Sequence, residues 1–309
     1  MQKIFKTKSV IRLFNGDTPI VLSDSTDLVL KCQNLGIRAI NLNSVEDLPE
    51  NSLIFTFCDA AATLVSEKAK KSKNKKILFC ATHVFEPSVE HAIYTLKLIL
   101  GSNFHTALKL QKKLLEILSN HKTFRILGPK TSAKASLSDE AAPYALIEED
   151  IKENFVHSIA EFFEVHYAHM NRLKPCPFCL SGSLEISGIL TVLRTPSPSH
   201  PKDLKEKLKD LLECVAQHGA MLTVKDNIAT SFKVNNREEI ETLITAAGER
   251  GAHLTEFAIG VNQSIAPIID FGVNSQMNEG IEGIHIAIGD GAKGYHIDFL
   301  SPGTQILVS

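Results

Sequence analysis

No apolar run in this chain reaches the length of a membrane-spanning helix; the longest are the size of a buried strand. Net charge is only −2, so neither nucleic acid nor an anionic membrane surface is drawn to the molecule as a whole. The opening "MQKIFKTKSVIRLF" lacks an apolar core followed by a small-residue cleavage site. The six cysteines, at positions 32, 58, 80, 176, 179 and 214, form no disulfide framework. These absences lead us to expect a cytoplasmic protein whose partners include neither nucleic acid nor membrane. No GxGxxG joins a strand to a helix, which removes the common dinucleotide-binding loop. No GxSxG-type turn offers a nucleophilic serine, and no internal repeat is visible.

What is present is ordinary globular composition, 44% hydrophobic and 22% charged over 309 residues. That length suggests about two domains, each able to bury its own core. In the first half, "TPIVLS", "RAINL", "SLIFTFC" and "KKILFCATHVF" read as strands, with "STDLVLKCQNLGI" and "DAAATLVSEKAKK" as helices between them. Such alternation predicts a parallel sheet with crossover helices. The lysine run "KAKKSKNKK" reads as a solvated loop. "SVEHAIYTLKLILGSNFHTALKLQKKLLEILSN" predicts two amphipathic helices broken near Gly101, and "TFRILG" a strand. "PKTSAKASLSDEAAP" reads as a loop, and "IEEDIKENFVHSIAEFFEVHYAHM" as a helix with acidic first turns.

The Pro-, Gly- and Ser-rich "NRLKPCPFCLSGSLEISG" predicts a domain boundary. The expected fold class is therefore α/β: a Rossmann-like parallel-sheet domain over 1–172 and a mixed α+β domain over 173–309. In the second half, strands in "SLEISGILTVL" precede a Pro-rich turn, "TPSPSHP", and the helix "KDLKEKLKDLLECVAQHG". "AMLTVKDNIATSFKVN" predicts a hairpin turning at Asp226-Asn227, and "REEIETLITAAGERG" a helix ending at glycine. "AHLTEFAIGVN", "GIHIAIGD" and "GYHIDFL" are strands again.

The candidate chemistry lies in those last strands. Residues two apart in a strand share a face, so His296 and Asp298 of "HID" project together. An imidazole and a carboxylate converging there are competent metal ligands, although a histidine–carboxylate pair also forms without metal. Glu256 is an acid in an otherwise apolar strand, which requires exposure, a hydrogen bond or a metal. His285, between two isoleucines, would complete a set of four or be a satisfied core residue. "CPFC", Cys176 to Cys179, has no second CxxC, and Cys214 with His218 is its only companion at helical spacing. "HYAH", His166 to His169, falls on one face of the expected helix without partners.

"LTEFAIGVN", "EGIEGIHIAIGDG" and "YHIDFL" resemble, in this order, the last three blocks of the thermophilic metallo-aminopeptidase family of the aminopeptidase T and S type. The preceding hairpin and helix fit that order, and the resemblance is clearest over residues 219–300. It implies a metal-dependent hydrolase acting on a peptide or small amide. Glu256, His285, His296 and Asp298 would be the ligands of a divalent ion (zinc, manganese or iron), with Glu256 and Tyr295 in catalytic roles. The related dihydroxypyridine ring-cleaving dioxygenases, which use iron, share the closing HxD. Two departures stand out. The family's Pro-x-Gly-Glu type turn has only "CLSGSLEISG" as its counterpart, with Ser183 after the glycine and Glu185 displaced. The segment between His285 and His296 is also short, and Tyr295 is near the family tyrosine but out of register. Loss of a ligand and a loop implies a mononuclear site or none, and so two alternatives: a catalytically degenerate protein that binds a peptide, such as a precursor presented to modifying enzymes, or a mononuclear iron ring-cleaving dioxygenase. The resemblance also implies a homodimer.

Overall fold

The computed structural model describes residues 8–71, 75–194, 201 and 203–309. The apolar runs of the first half do pair in parallel. Helix α1 (Lys8–Leu13) leads to β1 (Ile20–Ser23), α2 (Thr26–Asn34), β2 (Ala39–Asn41), β3 (Asn51–Phe55), α3 (Asp59–Lys71) and β4 (Lys76–Cys80). A short α4 (Thr82–Phe85) follows, where a longer strand was expected, and then α5 (Val89–Gly101) and α6 (Phe104–Asn120). Ser25, Ser88 and Asn103 each accept a backbone N–H at the start of α2, α5 and α6, satisfying donors that the helix leaves free.

Two further expectations give way here. "TSAKASL" is not a loop: β5 (Thr123–Gly128) turns into β6 (Thr131–Leu137), in which Thr131, Ala133, Ala135 and Leu137 are buried and the residues between them exposed. The period of two is present, but alanine and serine carry little of the strand preference that makes such a pattern visible. The stretch expected as one helix over 147–170 instead forms β7 (Phe155–Ser158) and β8 (Glu164–Ala168), flanked by short 3-10 turns. Two open sheet edges claim these segments, β4 for β7 and a C-terminal strand for β8, and pairing overrides a weak helical pattern.

The remaining chain forms β9 (Phe178–Ile186), β10 (Gly188–Val192), α7 (Leu204–His218), β11 (Ala220–Lys225), β12 (Ile228–Val234), β13 (Arg237–Glu238), α8 (Ile240–Ala247), β14 (Leu254–Gly260), β15 (Gly283–Ile288), β16 (His296–Pro302) and β17 (Gln305–Val308). The hairpin between β11 and β12 turns at Asp226-Asn227 as expected, with both residues at positive φ, 49° and 64°. Three sheets result: a parallel one ordered β2-β1-β3-β4-β7, and two antiparallel ones ordered β10-β16-β15-β14-β8 and β13-β12-β11-β9-β6-β5-β17. The fold is thus mixed α/β. Sheet membership does not divide at residue 172, because β5, β6 and β8 all pair with strands from the C-terminal half. The lysine run divides as well: Lys68, Lys70 and Lys71 end α3 and Lys76 opens β4, buried, its Nζ donating to Leu13 O and Asn15 Oδ1. Positions 72–74 lie outside the described residues, as does most of "TPSPSHP".

The five-stranded antiparallel sheet positions the candidate residues. One of its faces, carrying Phe257, Ile284, Ile286, Ile297 and Phe299, joins the core shared with the seven-stranded sheet, α7 and α8. Each such side chain contributes about 1.5–3 kcal/mol on burial. Both edges of this sheet are closed by single residues. Tyr144 exchanges backbone hydrogen bonds with His166 of β8, and the Asn274 side chain accepts from Thr191 N and donates to Thr191 O of β10.

Where β9 crosses β6, Gly182 has φ +141°, and a Cβ there would lie 2.4 Å from Ala133 Cα. Replacing Gly182 by valine is expected to cost about 2 kcal/mol or more, through backbone strain and overlap together. Urea denaturation checks this, with Gly303→Ala, which meets nothing within 4 Å, as the control for positive φ alone.

Candidate functional site

The other face of the five-stranded sheet carries the ionisable residues. Register explains how they meet. Ala258 on β14 lies opposite both His166 on β8 and His285 on β15. One row along, Ala287 on β15 lies opposite both Glu256 on β14 and Asp298 on β16. Each alanine thus separates two ionisable neighbours, leaving room for their longer side chains to lean together above the sheet. Gly260 and Gly283 continue the pattern beside Glu164.

The side chains converge. Asp298 Oδ1 is 3.2 Å and Glu256 Oε2 3.6 Å from His296 Nε2. Glu256 Oε1 is 3.5 Å from His285 Nε2, which lies 3.3 Å from Glu164 Oε2; Glu164 Oε1 is 3.2 Å from His166 Nδ1. His296 Nδ1 is 3.1 Å from the carbonyl oxygen of Gly289. A proton donated there fixes the ring and aims Nε2 at the carboxylates. Gly289 is at φ +76°, and a Cβ would overlap Tyr295 O. The loop before His296 is therefore one that only glycine permits.

Glu279 completes the group: burial, then Asp298, Glu164 and Glu256, push its carboxyl well above the usual range, which favours its protonated form. Burial alone would lower the imidazoles, but their acidic neighbours prevail. His296 is pushed up to about 10, chiefly by Asp298, and His166 to about 9, chiefly by Glu164; His285 also rises. Glu164, despite burial, is held low by His166 and His285. Without metal, the acidic neighbours thus favour the protonated form of all three imidazoles.

Two sets of three among the described residues bring ligand atoms within 4.8 Å of one another: Glu256, His296 and Asp298, and Glu164, His166 and Glu256. Glu256 belongs to both. Asp298 Oδ2 and Glu164 Oε2 are buried without a hydrogen bond, an arrangement that a cation would relieve. These residues therefore fit a divalent ion, with imidazole and carboxylate donors of the type zinc, manganese and iron accept.

Of the expected residues, Glu256, His296 and Asp298 come together, and His285 lies beside Glu256 but on the Glu164 side. Tyr295 packs towards the apolar core and lines a different cavity, with Leu212, Thr191 and Asn274. Glu185 is remote, bound to Lys130 at 2.8 Å on the seven-stranded sheet. Sequence reasoning missed Glu164, His166 and Glu279. "EVHYA" carried the same alternation as "YHIDFL" but was absorbed into a helix, and Glu279 stands in an irregular stretch with no periodic signal. Cys179 is exposed and Cys176 half-buried; neither they nor Cys214 join a set of metal-competent ligands among the described residues.

Residues 16–308 match the family described as crocagin biosynthetic protein CgnE/B. The chain belongs to this family. Among solved structures, wild-type AmpT from Thermus thermophilus is similar over 94% of this chain and 89% of that one, with 14% identity and a TM-score of 0.49. No curated protein matches.

The charged cluster sets a pH dependence for the metal-free protein. A histidine whose folded pKa is raised stabilises the fold fully below its unfolded value, and that stability is lost as pH rises through the folded value. Thermal stability is therefore expected to fall between about pH 6.5 and pH 10, given folded values near 9 for His166 and 10 for His296. Calorimetry across that range, with chelator present, checks this; His166→Gln should flatten the decline.

Proposed function

We propose that the chain is a catalytically silent, peptide-binding member of its family, which holds a precursor peptide for modifying enzymes rather than cutting it. The observation that carries this reading is the closure of the ionisable cluster. The side chains of Glu256 and His296 are each 13% exposed, and those of His285 and Asp298 3% and 2%. Five cavities among the described residues have none of these side chains on their walls. Hydrolysis requires a scissile carbonyl within about 3–3.5 Å of the attacking atom. Side chains this buried leave little room for one beside them. The family description, biosynthetic rather than degradative, supports the same direction.

A divalent ion belongs to this proposal as a structural element held by Glu256, His296 and Asp298. Bound there it would supply Lewis acidity. What the chain's own residues do is tie β14 to β16 and keep water from the buried carboxylates. Because protons and metal compete for His296, uptake should tighten as pH rises towards 10.

Elemental analysis of protein purified without chelator is expected to give up to about one ion per chain, lost in His296→Ala. Loaded protein should leave fluorogenic aminoacyl substrates uncleaved and consume no oxygen with dihydroxylated aromatics, while retaining linear peptides from a defined synthetic library. Turnover that disappears in His296→Ala would overturn the reading, as would failure to retain any peptide.

A further inference from the structure

Beyond β8 and beside the β11–β12 turn lies a cavity of about 440 Å³, walled by His169, Arg172, Cys176, Asp226, Glu249 and Arg250 with their neighbours. Arg250 is 5% exposed and comes from the 3-10 turn after α8. One of its terminal nitrogens donates to His169 O at 2.7 Å and lies 3.4 Å from His169 Nδ1. The other ring nitrogen of His169, Nε2, is 2.9 Å from Lys174 O, so the tautomer protonated at Nε2 fits both contacts and fixes the guanidinium.

What Arg250 lacks is a carboxylate in contact with it. Its Nε is buried without a hydrogen bond, and no carboxylate among the described residues lies within ion-pair distance of it. The nearby acids make their contacts elsewhere. Glu249 reaches Lys293 at 3.2 Å and Arg172 at 3.8 Å, Asp226 accepts from Ser181 Oγ, and Asp290, whose Oδ1 accepts the backbone amides of Ala292 and Lys293, acts on Arg250 and Arg172 only from beyond contact distance. A buried cation without a partner is costly, and burial together with the neighbouring Arg172 pushes its pKa down. Arg172, half exposed, supplies a second cation at the same wall.

We propose that this cavity is a carboxylate-binding subsite, in which Arg250 and Arg172 seat the terminal carboxylate of a peptide or free amino acid. The planar guanidinium fork matches a carboxylate in two parallel hydrogen bonds. Asp226 and Glu249 on the wall disfavour a dianion such as phosphate more than a single carboxylate, and they offer acceptors for the N–H groups of the same residue. The volume suits one residue rather than a long segment. For a peptide source the proposal rests on the peptide-binding reading; for a free amino acid it stands alone.

The test uses N-acetyl-L-phenylalanine, its C-terminal amide, free phenylalanine and inorganic phosphate, each titrated into the full chain and followed by isothermal calorimetry and two-dimensional NMR. The acid is expected to bind at least about tenfold more tightly than the amide, the difference being a charge-assisted bidentate contact. Arg250→Gln should abolish that difference, Arg172→Gln should reduce it, and Arg250→Lys should keep part of it. A preserved melting temperature in Arg172→Gln keeps the test valid if Arg250→Gln unfolds. Equal binding of acid and amide, or phosphate binding with neither, overturns the proposal. Peptide retention with no preference for a free carboxylate would sink this subsite while leaving the peptide-binding reading intact. Binding of the acid without retention of any longer peptide would do the reverse.

Discussion

The structure depends on one constraint of strand geometry: side chains alternate faces, so a single register decides which residues meet. Across β8, β14, β15 and β16 that register puts isoleucine and phenylalanine on one face and glutamate, histidine and aspartate on the other. Alanine and glycine occupy the positions between the ionisable groups. Larger residues there would hold the carboxylates and imidazoles upright and apart. Glu256 is the hub, since one oxygen faces His285 and the other His296. The ionisable face is thus a network rather than a set of separate pairs, and such networks are costly unless every member is satisfied.

Two polar regions of the molecule differ in how far they are satisfied from within. On the sheet face, acids and imidazoles come in nearly matched numbers and are closed off, so the chain meets most of its own electrostatic needs there. Around Arg250 the balance is left more open, with a buried guanidinium facing a cavity and no carboxylate among the described residues in contact with it. The first arrangement suits a structural centre. The second suits recognition, where the missing charge arrives with the ligand.

Much of this was legible beforehand. The parallel sheet, the hairpin at Asp226-Asn227 and the closing strands carried strong periodic signals, and the pair His296 and Asp298 followed from spacing alone. What was hidden had physical causes. β6 is rich in serine and alanine, whose strand preference is weak, and its buried face is mostly small side chains against which Gly182 of β9 packs closely. β7 and β8 are short and lie among acidic residues that suit a helix start, so only the edges waiting for them decide their conformation. With β8 misread, Glu164 and His166 had no way to appear beside Glu256. Arg250 carried no signal, because an unpaired cation is a property of its surroundings.

The Asn274 amide bound to both backbone groups of Thr191 has a bearing on assembly. It imitates one residue of a neighbouring strand, and Tyr144 does the same at the opposite rim. With one residue capped on each rim, the backbone row a foreign strand would need is interrupted, which opposes a slip of the register by one place. The rim of the seven-stranded sheet at β17 differs, with Leu307 and Val308 about half exposed and no charge along it. Two small polar stoppers thereby guard the sheet whose register brings the ionisable side chains together.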